Sequence, residues 1–417
     1  MKLISRLDPS NFAMLVDDLV AEQIRAGRTD FSELIDSLPG IYPQIAILSL
    51  KRLTSITSAR RVLSSATKQS RDPAACSINL KDNGLPIPHP LDYDWRFSQR
   101  TVRDLIEILL KFTTSRDTIA LLGCPSIFYA SENLNRQFVL VDNNSHYETN
   151  DWFGNGVAFH WNLFDDFTST ADLSAPLVLA DPPWYFDYHR AFLLNAAQIC
   201  TVGGHILFIK PRIGTRAGIV HDWHSILDIS ERVGLQYIGI EPHDVEYESP
   251  YFERNALEAA GIRNIHSNWR RADLAIFSKV KQTRVWPSWS WPEEEWSRET
   301  YLGFKLRKDD LTQKDFKNPL LISIVPHDVL PSVSRSDTRR KIADVWTNGN
   351  RIFACEGTNV LLRILRSMVT KQSPYDAVRQ MVGRSLRETE CQLISCARRQ
   401  VDQTISVEQK EIRRLYG

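Results

Sequence analysis

Asp181-Pro182-Pro183-Trp184, followed by Tyr185 and Phe186, is the stretch of this chain best equipped for chemistry. An apolar run, Leu177 to Ala180, leads into it and reads as a short buried parallel strand. Ligands of open α/β sheets bind just beyond the carboxyl ends of strands, so these residues stand at the mouth of a site. Two prolines fix φ and hold the loop open. The Pro182 carbonyl, with no helix or ladder to join, is left to accept a hydrogen bond. Asp181 supplies a second acceptor, and Trp184 or Tyr185 a flat face for a base or another π-system. An amino group held between two acceptors has its lone pair directed out of plane, toward an electrophile. The plainer reading is a strand followed by a proline-rich turn with an exposed acid.

Elements on both sides have to position that loop. The segment over about 93–281 alternates short apolar runs with amphipathic stretches, the pattern of βαβ units and a parallel sheet. Strands are expected at 119–123, 137–141, 157–161, 177–180, 205–210, 235–241 and 273–279, with helices at 101–112 and 188–200. Residues 1–70 carry helical spacing (Phe12, Leu15, Val16, Leu19, Val20, then Phe31, Leu34, Ile35, Leu38), and 68–92 read as a Pro-rich linker. Residues 282–334 are Trp- and Pro-rich, with Trp286-Pro287-Ser-Trp289-Ser-Trp291-Pro292 as either a packed strap or an aromatic platform for bases. Residues 335–417 read as mainly helical and hold 16 Lys/Arg against 9 Asp/Glu. That surplus suits a phosphate backbone or an acidic partner, or simply a solvated face. The expected domains are a helical region with linker over 1–90, an α/β domain over 91–282, and a strap with a basic helical region over 283–417. The helical ends are candidate dimer or partner surfaces.

Bulk properties narrow the class. A chain of 417 residues with net charge +1 has ample core but is not a uniformly basic nucleic-acid binder. Its six cysteines include no CxxC pair, which argues against a zinc ribbon or disulfide scaffold and for a reducing compartment. No run spans a membrane and no signal-peptide core begins the chain, so a cytoplasmic protein without membrane or metal is expected.

Other candidates fall at successive strand ends. Gly123-Cys124-Pro125 is a turn where backbone can come close to a ligand. Asp142, about 20 residues further on, is placed as the acid that binds ribose hydroxyls in dinucleotide folds, or as a turn-forming Asp before two Asn. Asn162 either hydrogen-bonds a ligand's base or is an ordinary loop residue. Phe97 lies against a ligand or in the core. Lys210 and Arg212 face the same rim and could meet a phosphate or a carboxylate. Residues 241–271, with Tyr247, Tyr251, Arg254, Arg263, Arg270 and Arg271, form either a substrate-reading element or a decorated crossover.

Taken together, Trp95-Arg-Phe97-Ser-Gln-Arg-Thr101, the Gly123-Cys-Pro125-Ser126 turn, Leu140-Val-Asp142, Phe159-His-Trp-Asn162 and Ala180-Asp-Pro-Pro-Trp184 resemble the family of probable N6-adenine methyltransferases. Members of that family include lysine methyltransferases acting on a translation elongation factor. The resemblance covers roughly 93–281 and is strongest at 180–184. It implies a Rossmann-like class I methyltransferase sheet of seven strands, the last antiparallel, flanked by mainly helical regions. It also implies S-adenosyl-L-methionine as cofactor. Phe97, Gly123, Cys124, Pro125, Asp142 and Asn162 would bind the cofactor. Asp181, Pro182, Pro183 and Trp184 would form the catalytic loop, and Tyr185, Lys210 and Arg212 would contact the acceptor. The chain departs from the pattern in its single glycine at the first turn, with no GxGxG, and in Trp184 where Phe is usual. Three functions follow: methyl transfer to N6 of adenine in DNA or RNA, methyl transfer to a protein lysine, or a degenerate scaffold that binds a partner or nucleic acid.

Overall fold

Leu, Val, Ile and Ala run without polar alternation through the central strands because both faces of the sheet are covered. The computed structural model describes residues 11–68, 85–144, 156–164, 173–283, 295–297, 299–308 and 311–416, with side chains at 242, 243 and 416 excepted. The tryptophan cluster at 286–291 lies outside these residues. The chain divides into two compact units: 1–72 with 95–249 and 262–291, and 73–94 with 250–261 and 292–417.

The first unit begins with four helices, α1 (Phe12–Arg25), α2 (Phe31–Ser37), α3 (Pro43–Arg52) and α4 (Thr57–Ser65). Next come β1 (Arg96–Phe97), α5 (Gln99–Lys111), β2 (Thr118–Leu122), α6 (Pro125–Ala130), β3 (Gln137–Asp142), β4 (Gly156–His160) and β5 (Ala175–Ala180). Then α7 (Phe186–Ile199), β6 (Cys200–Pro211), α8 (Ile219–Arg232), β7 (Leu235–Glu248) and, beyond α9 (Tyr251–Ala259) of the second unit, β8 (Arg270–Lys279). The strand order is β4-β3-β2-β5-β6-β8-β7-β1. β2 to β6 pair in parallel, and β8 runs antiparallel to both β6 and β7. The seven expected strands are present, and two-residue β1 adds an eighth, antiparallel to β7. Ala120, Leu122, Val178, Ala180, Ile206 and Phe208 form a core with Leu193, Ala196 and Ala197 of α7 and Ile226 of α8.

The N-terminal helices α1 to α4 fall within this unit. Half-buried polar ties hold them there as well as apolar packing. The Asp30 carboxylate caps α2 through the Ser32 N–H at 2.9 Å and accepts two bonds from Asn264 Nδ2 at 2.9 Å. The Arg271 guanidinium donates to the Asp36 carbonyl at 3.2 Å, and His266 lies 2.5 Å from the Asp36 carboxylate. Asn264, His266 and Arg271 of the 241–271 segment therefore anchor these helices.

The second unit contains α9 and a four-stranded antiparallel sheet, β9 (Phe304–Leu306), β10 (Ile322–Ser323), β11 (Val345–Thr347) and β12 (Ile352–Ala354). Helices α10 (Thr358–Val369), α11 (Pro374–Val382) and α12 (Glu388–Tyr416) complete it. Residues 335–417 are mainly helical as expected, with the short strands β11 and β12 added. A hairpin joins β11 to β12 through Asn348-Gly349-Asn350, in which Asn350 takes φ +60° and so closes the tight turn.

Candidate active site

Asp181 leaves β5 with its backbone still laddered, its N–H donating to the Leu122 carbonyl at 3.0 Å. Its carboxylate accepts a hydrogen bond from the Tyr247 hydroxyl at 2.5 Å. The Trp184 ring lies against the same phenol, so indole, phenol and carboxylate stand in contact in that order. The Tyr247 phenol is held well above its ordinary pKa by burial first and then by the Asp181 charge, so it remains a proton donor. Among the described residues nothing donates to the Pro182 carbonyl, whereas the Pro183 carbonyl accepts the Tyr185 N–H at 2.7 Å. One carboxylate and one uncommitted carbonyl thus sit side by side at the end of β5.

Trp184 is fixed from three directions. The Arg216 Nε donates to its carbonyl at 3.1 Å, and Arg216 is itself held by Asp222 at 2.5 Å. The Tyr247 ring meets the indole edge to face at 5.9 Å. The Arg270 guanidinium lies 4.9 Å from the Trp184 ring, 4.9 Å from Trp95 and 4.8 Å from Trp269. One face of Trp184 is consequently covered by a protein cation rather than left open as a stacking platform. Tyr185 caps α7 with extended backbone and stands half-buried beside Tyr188.

The expected cofactor residues divide into two groups. Gly123 makes its turn at φ +65°, and an added Cβ would lie 2.9 Å from Phe192 Cε1 and 3.2 Å from the Asp181 carbonyl. No side chain fits there. Asp142 and Asn162 end β3 and follow β4, half-buried, and each also closes a local turn. Asp142 Oδ1 accepts the Asn144 N–H at 2.9 Å, and Asn162 Oδ1 the Phe164 N–H at 3.1 Å. The other three turn inward. The Cys124 thiol is buried against the Leu122 carbonyl at 3.3 Å, and burial, then the charges of Asp181 and Asp142, push its pKa well up. Pro125 is buried at the first turn of α6. Phe97 packs on Tyr247 at 5.2 Å. All three side chains are buried.

The donor set suits S-adenosylmethionine. The ends of β2, β3 and β5 bring a glycine turn and the carboxylates of Asp142 and Asp181 close enough for both acids to act on one buried thiol. Acidic groups around a backbone turn match a ribose diol and a sulfonium cation.

Lys210 and Arg212 do not present open cations to an acceptor. Lys210 is buried and ion-paired with Asp273 at 2.8 Å, with its ammonium 5.2 Å from the Trp223 ring. Arg212 binds Asp273 at 3.0 Å and also pairs with Asp244. Strand pairing decides this, since Lys210 lies opposite Asp273 in the β6–β8 register. The sequence reading missed Arg216 and the direct link from Tyr247 to Asp181. A Gly214-Thr-Arg216-Ala-Gly218 turn before a helix was the available signal for the first.

Residues 94–204 match the family described as probable N6-adenine methyltransferase. No curated protein matches the chain by sequence. Among solved structures, the branched-chain polyamine synthase C9 mutein from Thermus thermophilus aligns at TM-score 0.46 and 12% identity, over 65% of this chain and 88% of that one. A TehB-like SAM-dependent methyltransferase from Corynebacterium glutamicum aligns at TM-score 0.29 and 15% identity, over 43% and 87%. NSun6 from Pyrococcus horikoshii, solved with SFG, aligns at TM-score 0.28 and 11% identity, over 47% and 53%. At these identities the likeness is one of fold alone.

Proposed function

We propose, from the premise that this chain is a S-adenosylmethionine-dependent methyltransferase with a family match over 94–204, that its acceptor is an amino group, N6 of adenine in DNA or RNA. The cofactor supplies a methyl group on a sulfonium. Asp142 would bind the ribose hydroxyls, and the backbone at Gly123 would pass close to the methionine portion. The Asp181 carboxylate and the Pro182 carbonyl hold the two N–H bonds of the acceptor. That arrangement points the nitrogen lone pair out of plane. The N–C bond forms as the C–S bond breaks, and the surplus proton leaves the nitrogen afterwards. Positioning therefore dominates over acid–base chemistry. An adenine inside a duplex has to be flipped out to reach this loop.

The observation that carries this reading is the pairing of Asp181, fixed by Tyr247, with a Pro182 carbonyl that no described residue engages. The basic surplus over 335–417 supports a phosphate-bearing partner. Arg270 covers one face of Trp184, which removes that face both as a wall for a lysine stem and as a stacking platform for a base, so the preference for adenine over lysine rests on the two acceptors and the basic surplus. The degenerate-scaffold alternative rested on the missing glycine pattern, and Gly123 makes the required close turn by itself.

Tritium transfer from labelled S-adenosylmethionine into DNA, RNA and protein extract tests this. Wild type should label nucleic acid, with the label recovered as N6-methyladenine, and Asp181→Ala should lose at least about 100-fold of that rate by removing an oriented acceptor. Equal incorporation by both proteins would remove this loop from the reaction.

A further inference from the structure

The Trp95-Arg-Phe97-Ser motif builds the support for Tyr247. Arg96 and Phe97 form β1, paired with Glu248 and Tyr247 of β7. The Ser98 N–H donates to the Glu246 carbonyl at 2.9 Å, and the Glu246 N–H to Thr101 Oγ1 at 2.9 Å. Ser98 also caps α5 through the Thr101 N–H at 3.2 Å. The Phe97 ring packs on the Tyr247 ring, and the Trp184 indole closes its other side. Tyr247 is 2% exposed, so its hydroxyl has no water to fall back on, and it is directed at Asp181. A tyrosine whose sole service were packing would not need its phenol aimed at the acceptor carboxylate by a dedicated strand and helix cap.

We propose that Tyr247 is a positioning residue for methyl transfer: its hydroxyl locks the Asp181 carboxylate in one orientation, so that the remaining lone pairs of that carboxylate meet the acceptor's N–H. This deepens, and rests on, the reading of Asp181 as the amino-group acceptor. A carboxylate offers about four acceptor directions on two oxygens. One taken by a buried phenol fixes the plane of the group and therefore the others. The rings of Trp184 and Phe97 in turn fix the phenol. The transfer step is unchanged in its balance: nitrogen gains the methyl carbon, sulfur keeps the C–S electron pair, and the proton departs from nitrogen. Tyr247 keeps its own proton throughout.

Tyr247→Phe retains the ring and the packing on Phe97 while deleting the hydroxyl. Two measurements decide the proposal. The first needs no acceptor: aspartate labelled with 13C at the side-chain carboxyl carbon Cγ, with the Asp181 signal assigned from Asp181→Asn, follows that carboxyl through a pH titration. Loss of a bond to its charged form moves the midpoint to higher pH in Tyr247→Phe. The Cys124 thiol, the other titratable neighbour from the start of α6, stays protonated across that range. An unchanged midpoint overturns the proposal, whatever the acceptor proves to be. The second is steady-state transfer to an adenine oligonucleotide. Here kcat falls on the order of 10- to 100-fold with KM for both substrates nearly constant. Retention of kcat also overturns it. If wild type leaves every oligonucleotide unlabelled, the nucleic-acid reading fails, and the titration still decides the role of Tyr247.

Discussion

His189 stands one turn into α7, behind the Asp-Pro-Pro-Trp loop, and is 1% exposed with no partner for Nε2 among the described residues. Burial, followed by the charges of Arg216 and Lys210, lowers its pKa from 6.5 to about 3. The imidazole is therefore neutral in the folded enzyme at any working pH, and no acid–base role falls to it. It has a consequence for stability instead. The unfolded chain takes up a proton as pH falls through 6.5, and the folded chain resists until about 3, so stability is present at neutral pH and lost across that window. His189→Phe should move the acid-unfolding midpoint downward and recover a few kcal/mol at pH 4 relative to wild type. Circular dichroism against pH measures it, with no gain in acid stability as the contrary result.

At the scale of elements, the site depends on how closely strand ends approach. Gly123 links β2 to α6, and its N–H donates to the Val141 carbonyl at 3.0 Å while its Cα faces Phe192 and the Asp181 carbonyl. Gly123→Ala adds both a strained φ and a clash, at a cost of about 2–4 kcal/mol. Urea denaturation should show that loss, and transfer activity should fall with it because the displaced atoms include the Asp181 backbone. The 235–248 strand shows the same logic in the other direction. Read as sequence, its second half begins an insert. In three dimensions it is the extension of β7 that carries Tyr247 to Asp181, with a register shift between Glu241 and Val245 that re-aims the side chains.

At the scale of the molecule, each unit has its own buried core and its own polar centre. In the second unit, Arg351 is bound by Glu408 at 3.3 Å and by Glu411 at 2.6 Å, and the Tyr251 hydroxyl of α9 donates to Glu411 at 2.5 Å. Burial dominates the Glu408 carboxyl and raises it to about 7 despite bonds from Thr347 and Gly349. This acid thus holds a proton in the folded unit between its ordinary 4.5 and 7 that the unfolded chain releases, and its contribution to stability declines as pH rises through that range. Arg351→Met leaves buried Glu408 and half-buried Glu411 without their cation and should cost about 3–5 kcal/mol. Calorimetry should place that loss in the transition of the second unit, and a shift under about 1 kcal/mol would show the cluster to be a solvated one. No described helix is long and apolar enough to cross a membrane.

Local signals carried far into this protein. Apolar runs marked the buried central strands β2, β3, β5 and β6, because a strand covered on both faces has no polar alternation, whereas β4 and β7 are half-exposed and alternate. The strand ends gathered Gly123, Asp142, Asn162 and Asp181 to one rim, since parallel βαβ units set every carboxyl end on the same side. Only tertiary structure could decide which partner each side chain meets there. Lys210 and Arg212 were matched to Asp273 by the β6–β8 register, Arg270 was laid on Trp184, and Tyr247 was brought to Asp181 from 66 positions away. Such pairings depend on antiparallel register across long separations, where a slip of one residue turns every side chain to the opposite face, and no short window of sequence encodes that choice.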